Sequence, residues 1–264
     1  VWDFEDIGDW WTRADAARIF PNVAVPTTAG TGSEVGRAGV LTDAAHHVKK
    51  VIFHPKVLPA QVICDPELTV GMPPAVTAGT GMDALAHCLE AYCAPGYHPM
   101  SAGIALEGLR LVLEYLPRAV ADGTDIEARA QMMSAAAMGA VAFQKGLGAI
   151  HAVSHPVGAL FGTHHGTTNA VVMPAVLAEN RPAIEAKLDR AAAYLGIAGG
   201  YEGLVTHLAG LSRDIGIPGG LGELGVTEEA ADRVAEMAVV DPTAGGNPVP
   251  LTAEMARRIF LASL

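Results

Sequence analysis

From Pro74 to the C-terminus apolar residues recur every three or four positions, whereas the first 66 residues set short apolar runs between glycines, prolines and polar clusters. The first rhythm predicts helices and the second predicts strands and turns. In the early part, NVAVP (residues 22–26) and LPAQVICDP, ending at Pro66, read as buried strands. GVLTD and VKKVIF, separated by the polar AAHH, read as a hairpin, and TRADAARIF as a short helix. Pro73-Pro74 opens a helix that closes near Pro95-Gly96. Further helices are expected over about 100–121 and 125–143, then one flanked by glycine from Gly148, and another along TTNAVVMPAVLAEN from residue 167. Others follow over about 181–195, 201–214, 228–238 and Thr252 to Leu264, with Pro-Gly-rich connections at 217–223 and 241–250. The expected fold is therefore α/β over residues 1–66 and all-helical over residues 67–264.

Half of the 264 residues are hydrophobic and only 5% are aromatic, so the apolar content is mostly Ala, Val and Leu, which suits closely packed helices. A net charge of -11 argues against nucleic acid or an anionic membrane surface as partner. No apolar run reaches the roughly 18 residues of a membrane span. The acidic, aromatic start VWDFEDIGDWW is unlike a signal peptide, so a cytoplasmic location is expected. The start lacks a methionine, which points to processing or to a piece of a longer chain. Cys64, Cys88 and Cys93 have no CxxC spacing and read as reduced core residues.

The candidate chemistry lies in two apolar helices. GAIHAVSHPVGALFGTHHGTTN (residues 148–169) carries His151, His155, His164 and His165, with His151 and His155 one turn apart. Pro156 is expected to bend that helix just after His155. GTGMDALAHCLEAY (residues 79–92) carries Asp83 and His87 at the same spacing. Histidines in such surroundings can be core residues bonded to backbone carbonyls. An unpaired carboxylate buried beside them, however, would rather take up a proton, so Asp83 needs a partner. Asp83, His87, His151 and His165 offer one oxygen and three nitrogens, a set suited to zinc or ferrous iron and poor for calcium or magnesium. TTAGTGSEVG (residues 27–36) is a strand-to-loop stretch rich in NH and hydroxyl donors that can approach a phosphate, although it matches no named phosphate loop. The alternative is a tight turn that uses glycine for its backbone freedom. Lys49 and Lys50 are either a solvated hairpin face or a phosphate contact near that loop.

PTTAGTGSEV, DPELT, MPP, TGMDALAHCLEAY and GAIHAVSHPVGALFGTHHG, in this order, resemble the iron-containing (group III) alcohol dehydrogenase family. The resemblance runs from about residue 20 to Asn247-Pro248 and the last helix. It implies that residues 1–66 are the C-terminal part of an α/β dinucleotide-binding domain and residues 67–264 an all-helical metal-binding domain, with the metal in the cleft between. Carried over by matched position, Asp83, His87, His151 and His165 would hold Fe2+ or Zn2+. His155 would be the non-ligand histidine near the nicotinamide and could relay a proton, while His164 would be a wall residue. Thr27, Thr28, Thr31 and Lys49 would contact NAD(P). The Gly-Gly-Gly-Ser loop with which the family binds pyrophosphate is not found, so this chain is expected to hold only the tail of the nucleotide domain.

The reaction implied is hydride transfer between a small alcohol and the nicotinamide, with the metal a Lewis acid on the alcohol or carbonyl oxygen. Phe143, Leu160 and Phe161 would line a small, partly apolar pocket, and the family implies a homo-oligomer, dimer or larger. Two competing readings are a metal-dependent hydrolase or lyase, with Glu90 or Glu34 as base, and a metal-binding helical remnant without turnover.

Overall fold

Helix α1 (Pro74–Cys93) is buried along every residue from Gly81 to Cys93. Its sequence explains this: Asp83 and Glu90 are its only acidic residues and it has no Lys or Arg, so no face prefers water. The computed structural model describes residues 5, 7–8, 10–46 and 48–264, and for Trp10, Val48 and Lys49 the backbone alone. Three helices enclose α1: α2 (Pro99–Ala121), α3 (Ile126–Ala142) and α5 (His165–Tyr194). Helix α4 (Ala149–Phe161) packs on α5 and on α7 (Ala231–Val239), α6 (Gly200–Asp214) on α5, and α8 (Ala253–Ala262) on α7. Among the described residues no helix is long and apolar enough to cross a membrane.

The last carbonyls of a buried helix need partners that water cannot supply. For α1 two lysines provide them. Lys145 Nζ donates to Ala91 O (3.1 Å) and Tyr92 O (3.3 Å), and Lys187 Nζ to Cys93 O (2.8 Å) and Ala94 O (3.0 Å). Both ammonium groups also sit at the negative end of the helix dipole.

Helices α1 to α4, α6 and α8 follow the sequence expectation to within a few residues. Helix α5 differs, because the two helices expected around residue 181 are one helix of 30 residues containing Pro174 and Pro182. Each proline removes one backbone bond. The inward row Val176, Leu177, Asn180, Ile184 and Leu188 nevertheless keeps the helix packed across that point. Pro156 likewise lies inside α4 without ending it.

The early strands depart further. Strand β1 (Val23–Ala24) pairs in parallel with β4 (Gln61–Val62), in the register Val23 to Gln61. Strands β2 (Ala38–Asp43) and β3 (Val48–Phe53) form the expected antiparallel hairpin, with Leu41 opposite Lys50. The segments read as buried strands are exposed instead: Val23 by 55% and Ile63 by 54%. An apolar run becomes a buried strand only when another layer covers it, and two paired residues do not make such a layer. TRADAARIF forms 3-10 turns (Trp10–Arg13 and Ala16–Arg18) rather than a helix. Cys88 and Cys93 are buried free thiols as expected, but Cys64 is exposed.

Glycines set how closely the helices meet. A Cβ on Gly166, at the start of α5, would overlap the Gly79 carbonyl of α1 and come within 3.0 Å of the Asp83 Cβ. Gly166→Ala should therefore push α5 away from α1 and cost about 1–3 kcal/mol in urea unfolding, the usual penalty of overpacking. Gly103→Ala, inside α2 where a Cβ meets nothing within 4 Å, should instead stabilise by roughly 0.5–1 kcal/mol. Equal effects from the two substitutions would contradict this account of the contact.

Candidate metal centre

Asp83, His87 and Glu90 are spaced i, i+4 and i+7, so α1 turns them to one side. His151 comes from the first turn of α4 and His165 is the first residue of α5. The Gly79–Gly166 approach brings His165 to Asp83. Asp83 Oδ1 lies 3.4 Å from His165 Nε2, 3.6 Å from His151 Nε2 and 3.7 Å from His87 Nε2. Asp83, His151 and His165 each offer a ligand atom within 4.8 Å of the others. His87 stands beside this triad, its ring stacked on His151 at 4.7 Å and 14°.

The polar atoms around this point fit a cation. Asn169 Nδ2 donates to Asp83 Oδ1 (2.9 Å) and also lies 3.3 Å from His151 Nε2 and 3.2 Å from His165 Nε2. One amide group with two hydrogens thus faces three polar atoms. Its own Oδ1 is buried without a hydrogen bond. A divalent ion at the focus would satisfy all the inward-facing lone pairs together, and one oxygen with imidazole nitrogens is a donor set for zinc or ferrous iron.

Glu90 decides which nitrogen of His151 faces inward. Its Oε2 is 2.6 Å from His151 Nδ1, while its Oε1 accepts from the Ile150 backbone NH at 2.7 Å. The carboxylate therefore holds Nδ1–H and turns Nε2 towards Asp83, where it becomes a ligand nitrogen once its own proton is released. The Asn247 side chain accepts the neighbouring Ala149 NH at 3.0 Å, so two successive NH groups at the buried start of α4 have side-chain partners.

Charge in the group is unevenly shared. Burial alone would raise Asp83, but the imidazoles around it hold it well below the usual carboxylate range. Burial pushes His87 down to about 4, against the pull of Asp83, which keeps it neutral. Burial also works against a charged His151, yet Glu90 and Asp83 outweigh it and push that imidazole up to about 9.

His155 is outside the triad. Its ring stacks on His165 (5.3 Å, 18°) and meets His151 edge-on (5.9 Å, 71°), and its Nδ1 is 2.8 Å from Asp241 Oδ2. His164 is exposed and caps α5, its Nδ1 accepting from Thr167 N at 3.3 Å. Phe143 packs on the His87 ring at 4.9 Å. Phe161 packs against the core, and Leu160 is largely exposed. In the TTAGTGSEVG loop, Thr27, Thr28 and Thr31 are exposed, while Gly30 is buried against Thr80 of α1 and Gly32, at φ 63°, against Ala136 and Ala140 of α3. The Gly30 backbone favours the charged form of His87, which places this loop next to the histidine group. The Lys49 side chain lies outside the described residues; its backbone pairs with Thr42. Glu34 is buried in the loop against α3, with its carboxyl raised by burial.

Two contributors, Asn169 and Asp241, were not singled out from the sequence, and Glu90 was read there only as a candidate base. Glu90 orients His151 rather than acting as a base, and its spacing of seven from Asp83 was a readable signal. Asn169, four residues after His165, was equally readable. Asp241 carried no local signal, since its partner is 86 residues away.

Residues 77–264 match the sequence profile of the Fe-containing alcohol dehydrogenase family, C-terminal part, and residues 1–66 match that of iron-containing alcohol dehydrogenase. The chain is 44% identical over 257 residues to 4-hydroxybutyrate dehydrogenase of Cupriavidus necator, covering 92% of this chain and 66% of that protein. It is 40% identical over 254 residues to the NAD-dependent methanol dehydrogenase of Bacillus methanolicus, covering 93% and 67%. The crystal structure of a 1,3-propanediol oxidoreductase superposes with a TM-score of 0.88 at 40% identity, covering 92% of this chain and 66% of that one. The chain thus spans about two thirds of the length of the curated relatives it matches.

Metal binding at this centre should release protons. Without a cation, His151 holds its proton between two carboxylates up to about pH 9. A group raised in the folded state stabilises fully below its unfolded value of 6.5 and loses that contribution as pH climbs towards about 9. Zinc titrated calorimetrically at pH 7, in two buffers of different ionisation heat, should release about one proton, with affinity rising up to about pH 9. Glu90→Gln should abolish most of that release and weaken zinc roughly 10–100-fold. Zinc binding without proton release would show that His151 is neutral in the metal-free protein.

Proposed function

The chain belongs to the iron-containing alcohol dehydrogenase family, and from that premise we propose that it moves hydride between a small alcohol and a nicotinamide cofactor at the Asp83 centre. The observation that carries this reading is the convergence of Asp83, His151 and His165 on one point, with His155 stacked alongside. Asp83, His87, His151 and His165 would hold the ion, iron or zinc, which when bound supplies Lewis-acid polarisation of the alcohol or carbonyl oxygen.

The protein's own groups account for the remaining requirements. Asp83 contributes the only negative charge of the four, so a divalent ion keeps a net positive charge there. Glu90 keeps the His151 lone pair aimed inward. His155, half-buried beside the group, is placed to take the alcohol proton and pass it outward. The exposed Thr27, Thr28 and Thr31 offer hydroxyls and backbone donors along the loop beside His87, where the cofactor would lie, with Lys49 as a further contact. The first 66 residues then serve as the C-terminal part of a dinucleotide-binding domain. The similar proteins act, by name, on methanol, 4-hydroxybutyrate and 1,3-propanediol. A short primary alcohol, with or without a second polar end, is the corresponding substrate class here, and NAD the corresponding cofactor.

A metal-dependent hydrolase would need a free base beside the metal. Both Glu90 oxygens are already engaged by His151 and the Ile150 NH.

Protein expressed from the intact gene and loaded with ferrous iron or zinc should produce NADH, read at 340 nm, from a short primary alcohol. His155→Ala should retain its metal by elemental analysis while turnover falls about 100-fold or more. Metal loss in His155→Ala would make it a ligand. Absence of metal-dependent NADH formation from every short alcohol tried would overturn the dehydrogenase reading.

A further inference from the structure

Asp241 enters the site from the loop after α7, and its two carboxylate oxygens do different work. Oδ2 is 2.8 Å from His155 Nδ1. Oδ1 accepts from the Thr243 backbone NH at 2.9 Å and the Thr243 hydroxyl at 2.5 Å. The Thr243 hydroxyl also lies 3.4 Å from Gly148 O, at the residue that caps the start of α4. The carboxylate is thus held between Thr243 on its own loop and His155 of α4. Burial would raise Asp241, but its bonds to His155 and Thr243 hold it below the usual carboxylate range. An ionised carboxylate has no proton to donate, so the hydrogen in the 2.8 Å contact belongs to His155 Nδ1.

A neutral imidazole carries one ring proton. With that proton on Nδ1, the other nitrogen must present a lone pair, and it lies across the ring from Asp241. We propose that Asp241 is a positioning residue: it holds His155 in the Nδ1–H form, so that Nε2 is kept as the proton acceptor beside the metal centre. The proposal rests on the reading in which His155 relays the alcohol proton. It assigns work to a residue that touches neither the ligand triad nor the cofactor loop.

The Thr243 contacts make the consequence of one substitution specific. In Asp241→Asn the amide oxygen must remain towards Thr243, because the Thr243 NH can only donate. The amide NH2 is then turned to His155, where it can only donate, and Nδ1 must become the acceptor. The ring proton moves to Nε2, and the acceptor facing the site is lost.

Nitrogen-15 spectra of imidazole-labelled, zinc-loaded protein separate protonated from unprotonated ring nitrogens, and the His155 signals are those absent from His155→Ala. The wild-type protein should show Nδ1 protonated and Nε2 unprotonated. Asp241→Asn should show the reverse, with zinc content and KM unchanged and kcat lowered about 100-fold or more. The wild-type spectrum alone is decisive if Asp241→Asn does not fold, since an Nε2–H form there overturns the proposal. A retained Nδ1–H form in folded Asp241→Asn overturns it too. So does a switched form with kcat unchanged, which would leave Asp241 a purely structural tie. Failure of the underlying reading is distinct: it appears as full turnover in His155→Ala, whatever Asp241→Asn does.

Discussion

A carboxylate buried on all sides within a helix bundle is the constraint from which most of this structure follows. Asp83 is 4% exposed in the middle of the most enclosed helix of the fold. Burying such a charge is costly unless partners replace its water. Imidazoles from α1, α4 and α5 and the Asn169 amide gather around its oxygen. Once the His151 proton is released, those partners present more lone pairs than the one amide can satisfy. A divalent cation resolves both demands at once, because it neutralises the carboxylate and draws every lone pair to one point.

Such a gathering requires helix backbones closer together than ordinary side chains allow. Gly166 meets the Gly79 carbonyl where α5 crosses α1, and Gly139 of α3 sits where a Cβ would be 3.0 Å from the His87 Cβ. The alanine-rich, aromatic-poor composition serves the same end. Sealing α1 inside the bundle creates a second problem at its C-terminal end. Lys145 and Lys187 solve it by donating to four successive carbonyls, Ala91 to Ala94. The centre and the cap are two consequences of putting one polar-bearing helix at the middle of an apolar bundle.

Two histidines of α4 each have their Nδ1 held by a carboxylate. Glu90 fixes His151, and in doing so also caps the N-terminus of α4. Asp241 bonds His155 from the far end of the chain. The Gly30 backbone stands near His87 and brings the exposed threonine loop to the edge of the group. Two carboxylate–histidine pairs thus lie side by side on α4, one directed at the metal ligands and one at a histidine outside them.

The sequence determined the helical pattern and the ligand candidates, because both are local. A spacing of three to four residues writes a buried helix face directly into the chain, and Asp83–His87 and His151–His155 are readable in the same way. The apolar runs NVAVP and LPAQVICDP were equally visible, but whether they are covered depends on what packs over them, and here they are exposed. Two helices were expected to meet near residue 181, and only the packing of α5 shows one continuous helix. The choice between His151 and His155, identical in type and one turn apart, was likewise not local. Tertiary structure decided it by placing Nε2 of His151 against Asp83 and His155 against Asp241, contacts that span 68 and 86 positions of the chain. Side-chain chemistry repeats every helical turn, but the direction in which a given turn faces is fixed only when distant segments pack together.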